Sequence, residues 1–130
     1  MKKEELIKKA VEYKHSGFNC AQAVVKALAE YVDTDEESMT KLASGFGAGM
    51  GCMEATCGAL VGANLVAGLV LDGRGTPAKS REILQKFETT SGATICKDLK
   101  GISTGEVLCP CDDCVRNAVK AAIEVLNLGE

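Results

Sequence analysis

The chain has no tryptophan, three phenylalanines, two tyrosines, two prolines and a single histidine, His15. So few aromatic rings leave little from which to build base-stacking platforms or cation cages, and the core has to be aliphatic. A cationic excess is missing too. Fifteen basic residues face 18 acidic ones, the net charge is −3, and no run of Lys and Arg extends beyond Lys2-Lys3. Neutralising phosphates needs a basic face, so nucleic acid is not expected as a partner. His15 falls near an expected helix end, where a cation is favoured, and reads as a surface cap rather than a base. With one histidine there is no Ser-His-Asp or Cys-His pairing, no second ligand pair for a zinc finger and no Cys-x-x-Cys-His site for haem. The Gly-x-Gly repeats are followed by no Gly-Lys-Ser/Thr, so a phosphate loop is not supported.

Long apolar runs are scarce. Leu6 and Ile7 give way at once to Lys8-Lys9, which leaves no signal-peptide core, and the protein is expected to be cytoplasmic. The 17 uncharged residues from Ala55 to Leu71 touch the lower limit for a membrane span. They include Thr56, Cys57, Asn64 and several glycines, too small and polar for a lipid-facing helix, so a buried central helix is the better reading.

Cysteine is what the chain has in excess: seven, an odd number that cannot all pair internally. Without a secretory signal, structural disulfides are the weaker explanation, and metal binding or redox chemistry leads. A substrate pocket or general base for a thiol-dependent enzyme is not apparent.

Apolar residues recur at helical spacing through most of the chain. Leu6, Ile7, Ala10, Val11 and Tyr13 predict an amphipathic helix over 3–15, stopped by Ser16-Gly17. Asn19 caps a second helix whose stripe is Ala21, Val24, Val25, Leu28 and Val32, with Cys20 at its first position. Thr34 and Glu37 form a capping box for a short third helix ending near Ser44. Gly45-Phe46-Gly47-Ala48-Gly49-Met50-Gly51-Cys52, glycine at every second place, predicts a loop. Thr56 is the expected cap of a fourth helix reaching Leu71, and Thr76-Pro77 opens a fifth, carrying Ile83, Leu84 and Phe87 and closed by Ser91-Gly92. A short piece over Ile95–Leu99 and an irregular stretch from Gly101 to Pro110 precede a last helix, begun at Cys111 or Asp112 and bearing Val115, Val119, Ala122, Ile123 and Leu126. No alternating strand pattern, repeat or linker is present, so residues 1–130 are expected to form one all-α domain of five main helices and a short sixth.

Two cysteines follow expected caps, Cys20 after Asn19 and Cys57 after Thr56. Helix starts offer unpaired N–H groups and positive potential, which favour the thiolate that acts as nucleophile or metal ligand. Cys109-Pro110-Cys111-Asp112-Asp113-Cys114 combines Cys-x-Cys with Cys-x-x-Cys, spacings that suit one metal or a reversible disulfide. The glycine loop before Cys57 could aim N–H groups at an anion or at the sulfurs of a cluster. Gly47, Gly49, Gly51 and Gly58 are the cofactor-binding candidates.

Asn19-Cys20-Ala21-Gln22-Ala23-Val24, the loop Gly45 to Gly51, Cys57-Gly58-Ala59-Leu60-Val61-Gly62, Cys96 and Cys114-Val115 resemble the C_GCAxxG_C_C family of putative redox-active proteins, from about Cys20 into the last helix. The resemblance implies four working cysteines: Cys20, Cys57, Cys96 and one of the terminal group, for which Cys114 fits best and Cys109 and Cys111 are alternatives. A more distant likeness to the non-haem part of split-Soret cytochromes implies an iron–sulfur cluster. Genes of the family often lie near transporters, which implies a transporter-associated partner.

The leading expectation is that the four cysteines meet at one end of a bundle, where they ligate an iron–sulfur cluster or another metal, or cycle between dithiol and disulfide in electron transfer with a redox partner. Cys57 is expected to be the central sulfur, Cys20 its nearest long-range partner, and Cys52 peripheral. The rival is a non-catalytic binding module in which a structural zinc supports contact with a transporter or partner subunit. A homodimer is the base-rate expectation.

Overall fold

The computed structural model describes residues 2–128, and among them the fold is all-α as expected, with no strand beyond one isolated bridge. Seven α-helices form: α1 (Lys3–Lys14), α2 (Cys20–Ala27), α3 (Glu36–Ala43), α4 (Gly58–Val70), α5 (Thr76–Ser91), α6 (Cys96–Lys100) and α7 (Cys111–Leu126). These are the seven helical segments read from the sequence; the expected total of five main helices and a short sixth is one too few because α3 and α6 are both short.

The centre of the molecule is α4, whose buried face runs through Ala59, Leu60, Ala63, Val66 and Ala67. It packs on α2 and α7, while α5 and α1 close on α7 from either side. Small residues let these axes approach. A Cβ on Gly62 would come within 2.8 Å of the Ala21 carbonyl and 3.1 Å of Val24 Cβ. The missing aromatics are replaced by aliphatic side chains: Leu6, Leu28, Leu60, Ile83, Leu99 and Val119 are fully buried, around the one buried ring, Phe87. Each contributes on the order of 1.5–3 kcal/mol by leaving water. No helix among the described residues is long and apolar enough to cross a membrane.

Helix starts depart from the sequence reading in instructive ways. The third helix is capped by Asp35, whose carboxylate accepts from the Ser38 N–H at 2.9 Å, and not by Thr34 with Glu37. The fourth is capped by Cys57, not Thr56, because Thr56 is held in an antiparallel bridge with Ile95. Gly75, in the left-handed region at φ +68°, takes the cap position expected for Thr76, which becomes the first helical residue with Pro77 after it. The second helix stops at Ala27 rather than continuing to Val32, and a 3-10 turn covers Ala29–Tyr31. The glycine segment is less of a free loop than expected: it forms a 3-10 turn at Ser44–Phe46 and a wide turn at Gly49–Met53. Ala48, Met50 and Met53 adopt positive φ there alongside Gly49 and Gly51.

Asn19 performs as read, and does more. Its side chain accepts from the Gln22 N–H at 2.9 Å, Gln22 reaches back to the Asn19 N–H, and Asn19 Nδ2 donates to the Ser44 carbonyl at 2.9 Å. Asn19→Ala removes the cap and the tie between α2 and the glycine segment, so urea denaturation is expected to show a loss of about 1–2 kcal/mol. A midpoint unchanged from the parent would contradict the capping account.

Candidate functional site

Four helices begin at or beside a cysteine, and the four sulfur-bearing residues line one cavity of about 440 Å³. Cys20 opens α2, Cys57 caps α4, Cys96 opens α6 and Cys111 opens α7. Met53 and Ile102 give the wall apolar surface, and its charged groups are Lys14 and Lys100.

Local geometry explains how residues so far apart in sequence meet. The Thr56–Ile95 bridge lays the two chain segments side by side: the Cys57 N–H donates to the Thr94 carbonyl at 2.8 Å and the Cys96 N–H to the Ala55 carbonyl at 3.0 Å. Glycine then lets the pieces close. At Gly58 a Cβ would meet Cys20 Sγ at 2.7 Å and the Phe46 carbonyl at 2.5 Å. At Gly49, with φ +59°, it would meet Cys96 Cβ at 2.6 Å. Gly47 leaves the space occupied by the Asn19 side chain, whereas Gly51 has nothing within 4 Å. Three of the four glycines singled out as cofactor contacts therefore lie against the frame that holds the cysteines.

The sulfurs associate in pairs. Cys20 is paired with Cys111, and the hydrogen bond from that thiol is the main reason its pKa falls to about 6. The N–H groups of Ala48 and Ala21 and the Lys100 charge help, against the opposing effect of burial. Cys57 is paired with Cys114 and drops to about 7, chiefly by that hydrogen bond, with the Leu60 and Ala59 N–H groups of the first turn of α4 adding to it. The donors move the other way: hydrogen bonding to a charged sulfur, burial and the nearby negative charge hold the protons on Cys111 and Cys114. Burial also raises Cys96. Each pair thus shares one proton between two sulfurs, with the thiolate at the helix start where N–H groups point.

Cys114 lies one turn into α7, fully buried, and does not line the cavity. Of the terminal cysteines it is Cys111 that reaches the wall, while Cys114 stands behind Cys57. Cys20 and Cys57 face the same space, but the nearest long-range partner of each is a sulfur from α7 and not the other. Cys109 is buried beside Cys114, its N–H bonded to the Leu99 carbonyl at 3.1 Å and its sulfur accepting from Asn117 Nδ2 at 3.8 Å. Cys52 is exposed and away from the wall. His15 caps α1 and bonds Asp112 at 2.7 Å, tying α1 to the start of α7.

Lys100 is the functional residue that the sequence reading passed over. Its ammonium donates to Cys114 Sγ at 3.7 Å. Burial works to remove its proton, but the sulfurs of Cys114, Cys111, Cys57 and Cys96 outweigh that and raise its pKa. The signal was available, since Cys96 and Lys100 are four residues apart and share a helix face.

No curated protein and no solved structure matches the chain with significance. The family model described as "Putative redox-active protein (C_GCAxxG_C_C)" matches residues 18–125, which include all seven cysteines and every wall residue of the cavity except Lys14. The chain belongs to the C_GCAxxG_C_C family.

Proposed function

We propose that the protein is a dithiol–disulfide carrier, working in a reducing intracellular setting, in which Cys20 is the attacking thiolate and Cys111 the resolving thiol. The observation that carries this reading is the meeting of Cys20 and Cys111, each the first residue of a helix, on the wall of one open cavity. Cys20 attacks one sulfur of a disulfide-bearing partner; that S–S bond breaks, the other sulfur leaves as a thiolate, and a mixed disulfide forms. The negative charge that held the proton on Cys111 has then been consumed, so Cys111 ionises more readily. Its thiolate attacks Cys20 Sγ, the Cys20–Cys111 disulfide closes and the partner's second thiol is released. Two electrons and the one proton that the pair shared have passed to the partner, one of whose sulfurs leaves as a thiolate. Cys57 and Cys114 repeat the arrangement and supply a second dithiol.

A second reading is favoured by a different observation, the four cysteines around one cavity. Among the described residues no three His, Cys, Asp or Glu side chains are grouped to hold one metal ion, so a four-coordinate zinc does not fit the paired sulfurs. An all-thiolate donor set on a roomy cavity does fit an iron–sulfur cluster, with Cys20, Cys57, Cys96 and Cys111 as its holders. When bound, such a cluster supplies one-electron transfer. The cysteines would then serve as anchors, and Lys14 and Lys100 would offset the negative charge of the assembly.

Anaerobic purification with iron, zinc and sulfide analysis, followed by titration with oxidised dithiothreitol and disulfide mapping, separates the readings. The carrier is expected to be free of iron and sulfide and to form Cys20–Cys111. Iron and sulfide in stoichiometric amount select the cluster. A metal-free protein that forms no Cys20–Cys111 bond sinks the carrier.

A further inference from the structure

We infer that Cys109 is a third redox position behind the second dithiol, so that a disulfide formed at Cys57–Cys114 is handed inward to Cys109–Cys114. The inference rests on the carrier reading and extends it to a sulfur that the resemblance offers only as an alternative to Cys114.

The geometry is a chain of sulfurs running away from the cavity. Cys57 is on the wall, and Cys114, which does not line it, lies next to both Cys57 and Cys109. Cys114 Sγ lies 3.5 Å from the Cys109 carbonyl oxygen, which sets the two residues against each other. The far end is held rather than loose: Asn117 Nδ2 donates to Cys109 Sγ at 3.8 Å and to Ser91 Oγ at 2.9 Å. A buried sulfur that merely fills space needs no such donor. Here an amide N–H faces the atom that would carry negative charge as a thiolate, and the Lys100 ammonium faces Cys114 on its other side.

The step balances without any added oxidant. The Cys109 thiol gives up its proton and attacks Cys114 Sγ of the Cys57–Cys114 disulfide. The Cys109–Cys114 bond forms, the Cys57–Cys114 bond breaks, and Cys57 leaves as the thiolate, which the first-turn N–H groups of α4 already favour. No electrons are gained or lost. The consequence is directional: all three sulfurs are buried, but the disulfide moves from Cys57, which lines the cavity, to Cys109 and Cys114, which do not, and so away from small thiols that enter it. Cys57 is returned to the wall in its reactive form.

The test uses the full chain with Cys52→Ser, which removes the exposed thiol and with it intermolecular cross-links. The reduced protein is given two equivalents of diamide, one for each dithiol, sampled over time, quenched in acid and alkylated in denaturant. Cleavage before Asp112 and Asp113, and fragmentation at Pro110, separate Cys114, Cys111 and Cys109 for mapping. Cys57–Cys114 is expected first, decaying as Cys109–Cys114 rises. In the Cys109→Ser protein, Cys57–Cys114 is expected to persist at least about tenfold longer without added thiol, and to be reduced by a later challenge with glutathione faster than the Cys109–Cys114 bond of the parent. Finding Cys57–Cys114 stable while Cys109 stays fully alkylated overturns the handover and leaves the carrier standing. Finding no intramolecular disulfide at all overturns the carrier and the handover together. The unsubstituted Cys109 protein decides the main point by itself, whatever the variant does to folding.

Discussion

At pH 5, Cys20→Ser made in a Cys57→Ser protein, where the second lowered thiol no longer competes, is expected to slow the reaction of the reduced protein with a neutral dipyridyl disulfide by about 20-fold or more, whereas at pH 7 the loss is only a few-fold. The reasoning weighs two opposed effects of a low pKa. With a pKa of about 6, Cys20 is mostly thiolate at pH 7. An ordinary thiol at about 8.5 is ionised to only about 3% there, so Cys20 gains roughly 30-fold in reactive form. A less basic sulfur is also a weaker nucleophile, and a Brønsted slope of about 0.4–0.5 over that difference takes back roughly 13-fold. At neutral pH little remains of the advantage. Two pH units lower the ordinary thiol has lost about a hundredfold in thiolate and Cys20 only about tenfold, so the gap widens to roughly 20-fold. The sign is fixed: because its pKa is lowered, Cys20 keeps its thiolate as pH falls until it passes about 6, and below that the rate drops tenfold per unit. Stopped-flow rates between pH 4.5 and 8 measure the profile. A single inflection near 8.5, unaffected by Cys20→Ser, would remove Cys20 from the role of attacking group.

What makes that profile possible was partly visible in the sequence and partly not. Asn19-Cys20 with Gln22 three residues after the cap announces a helix start carrying a sulfur, and both halves of the capping box are formed. A local signal specified it, and no distant contact intervenes. Cys57 had the same kind of signal in Thr56, yet its placement is decided by Ile95, 39 positions away, which draws Thr56 into a bridge and passes the cap to Cys57. Nothing within a turn of Thr56 carries that information. The terminal cysteines show a third case. Cys111 and Cys114 are separated by about 4.5 Å along a helix axis and lie on neighbouring faces, so the sequence narrows the site to that turn. Which of them meets the cavity depends on how deeply α7 is seated, and that is set by its packing on α1, α4 and α5. The alternate-glycine segment was legible as a place of unusual backbone but not as a frame. That Gly49 faces Cys96 and Gly47 faces Asn19 follows only once the bridge and the cap have put those partners there.

Gly58→Ala and Gly68→Ala, the same one-carbon addition on the same helix, are expected to act in opposite directions. Gly68 has no atom within 4 Å of where a Cβ would stand, so alanine there adds helix propensity and restricts the unfolded chain. Urea denaturation should show a gain of about 0.4–1 kcal/mol, with thiol reactivity unchanged. At Gly58 the same methyl would stand 2.5 Å from the Phe46 carbonyl, 2.7 Å from Cys20 Sγ and 3.1 Å from Gly47 Cα. Two of these neighbours are backbone, and the third is a sulfur held by the Ala48 and Ala21 N–H groups and by Cys111. Overpacking of this kind costs about 1–3 kcal/mol, and the propensity gained from alanine is too small to offset it. The easiest relief is for Cys20 to turn away, which breaks its hydrogen bond with Cys111. Gly58→Ala should therefore lose stability and also shift the acid limb of the Cys20 profile upward, toward that of an ordinary thiol. The two readouts separate packing from chemistry: a destabilised protein whose profile still turns near pH 6 would mean that α4 or the Phe46 turn had moved instead of the sulfur. A Gly58→Ala protein as stable as its parent would contradict the close approach itself.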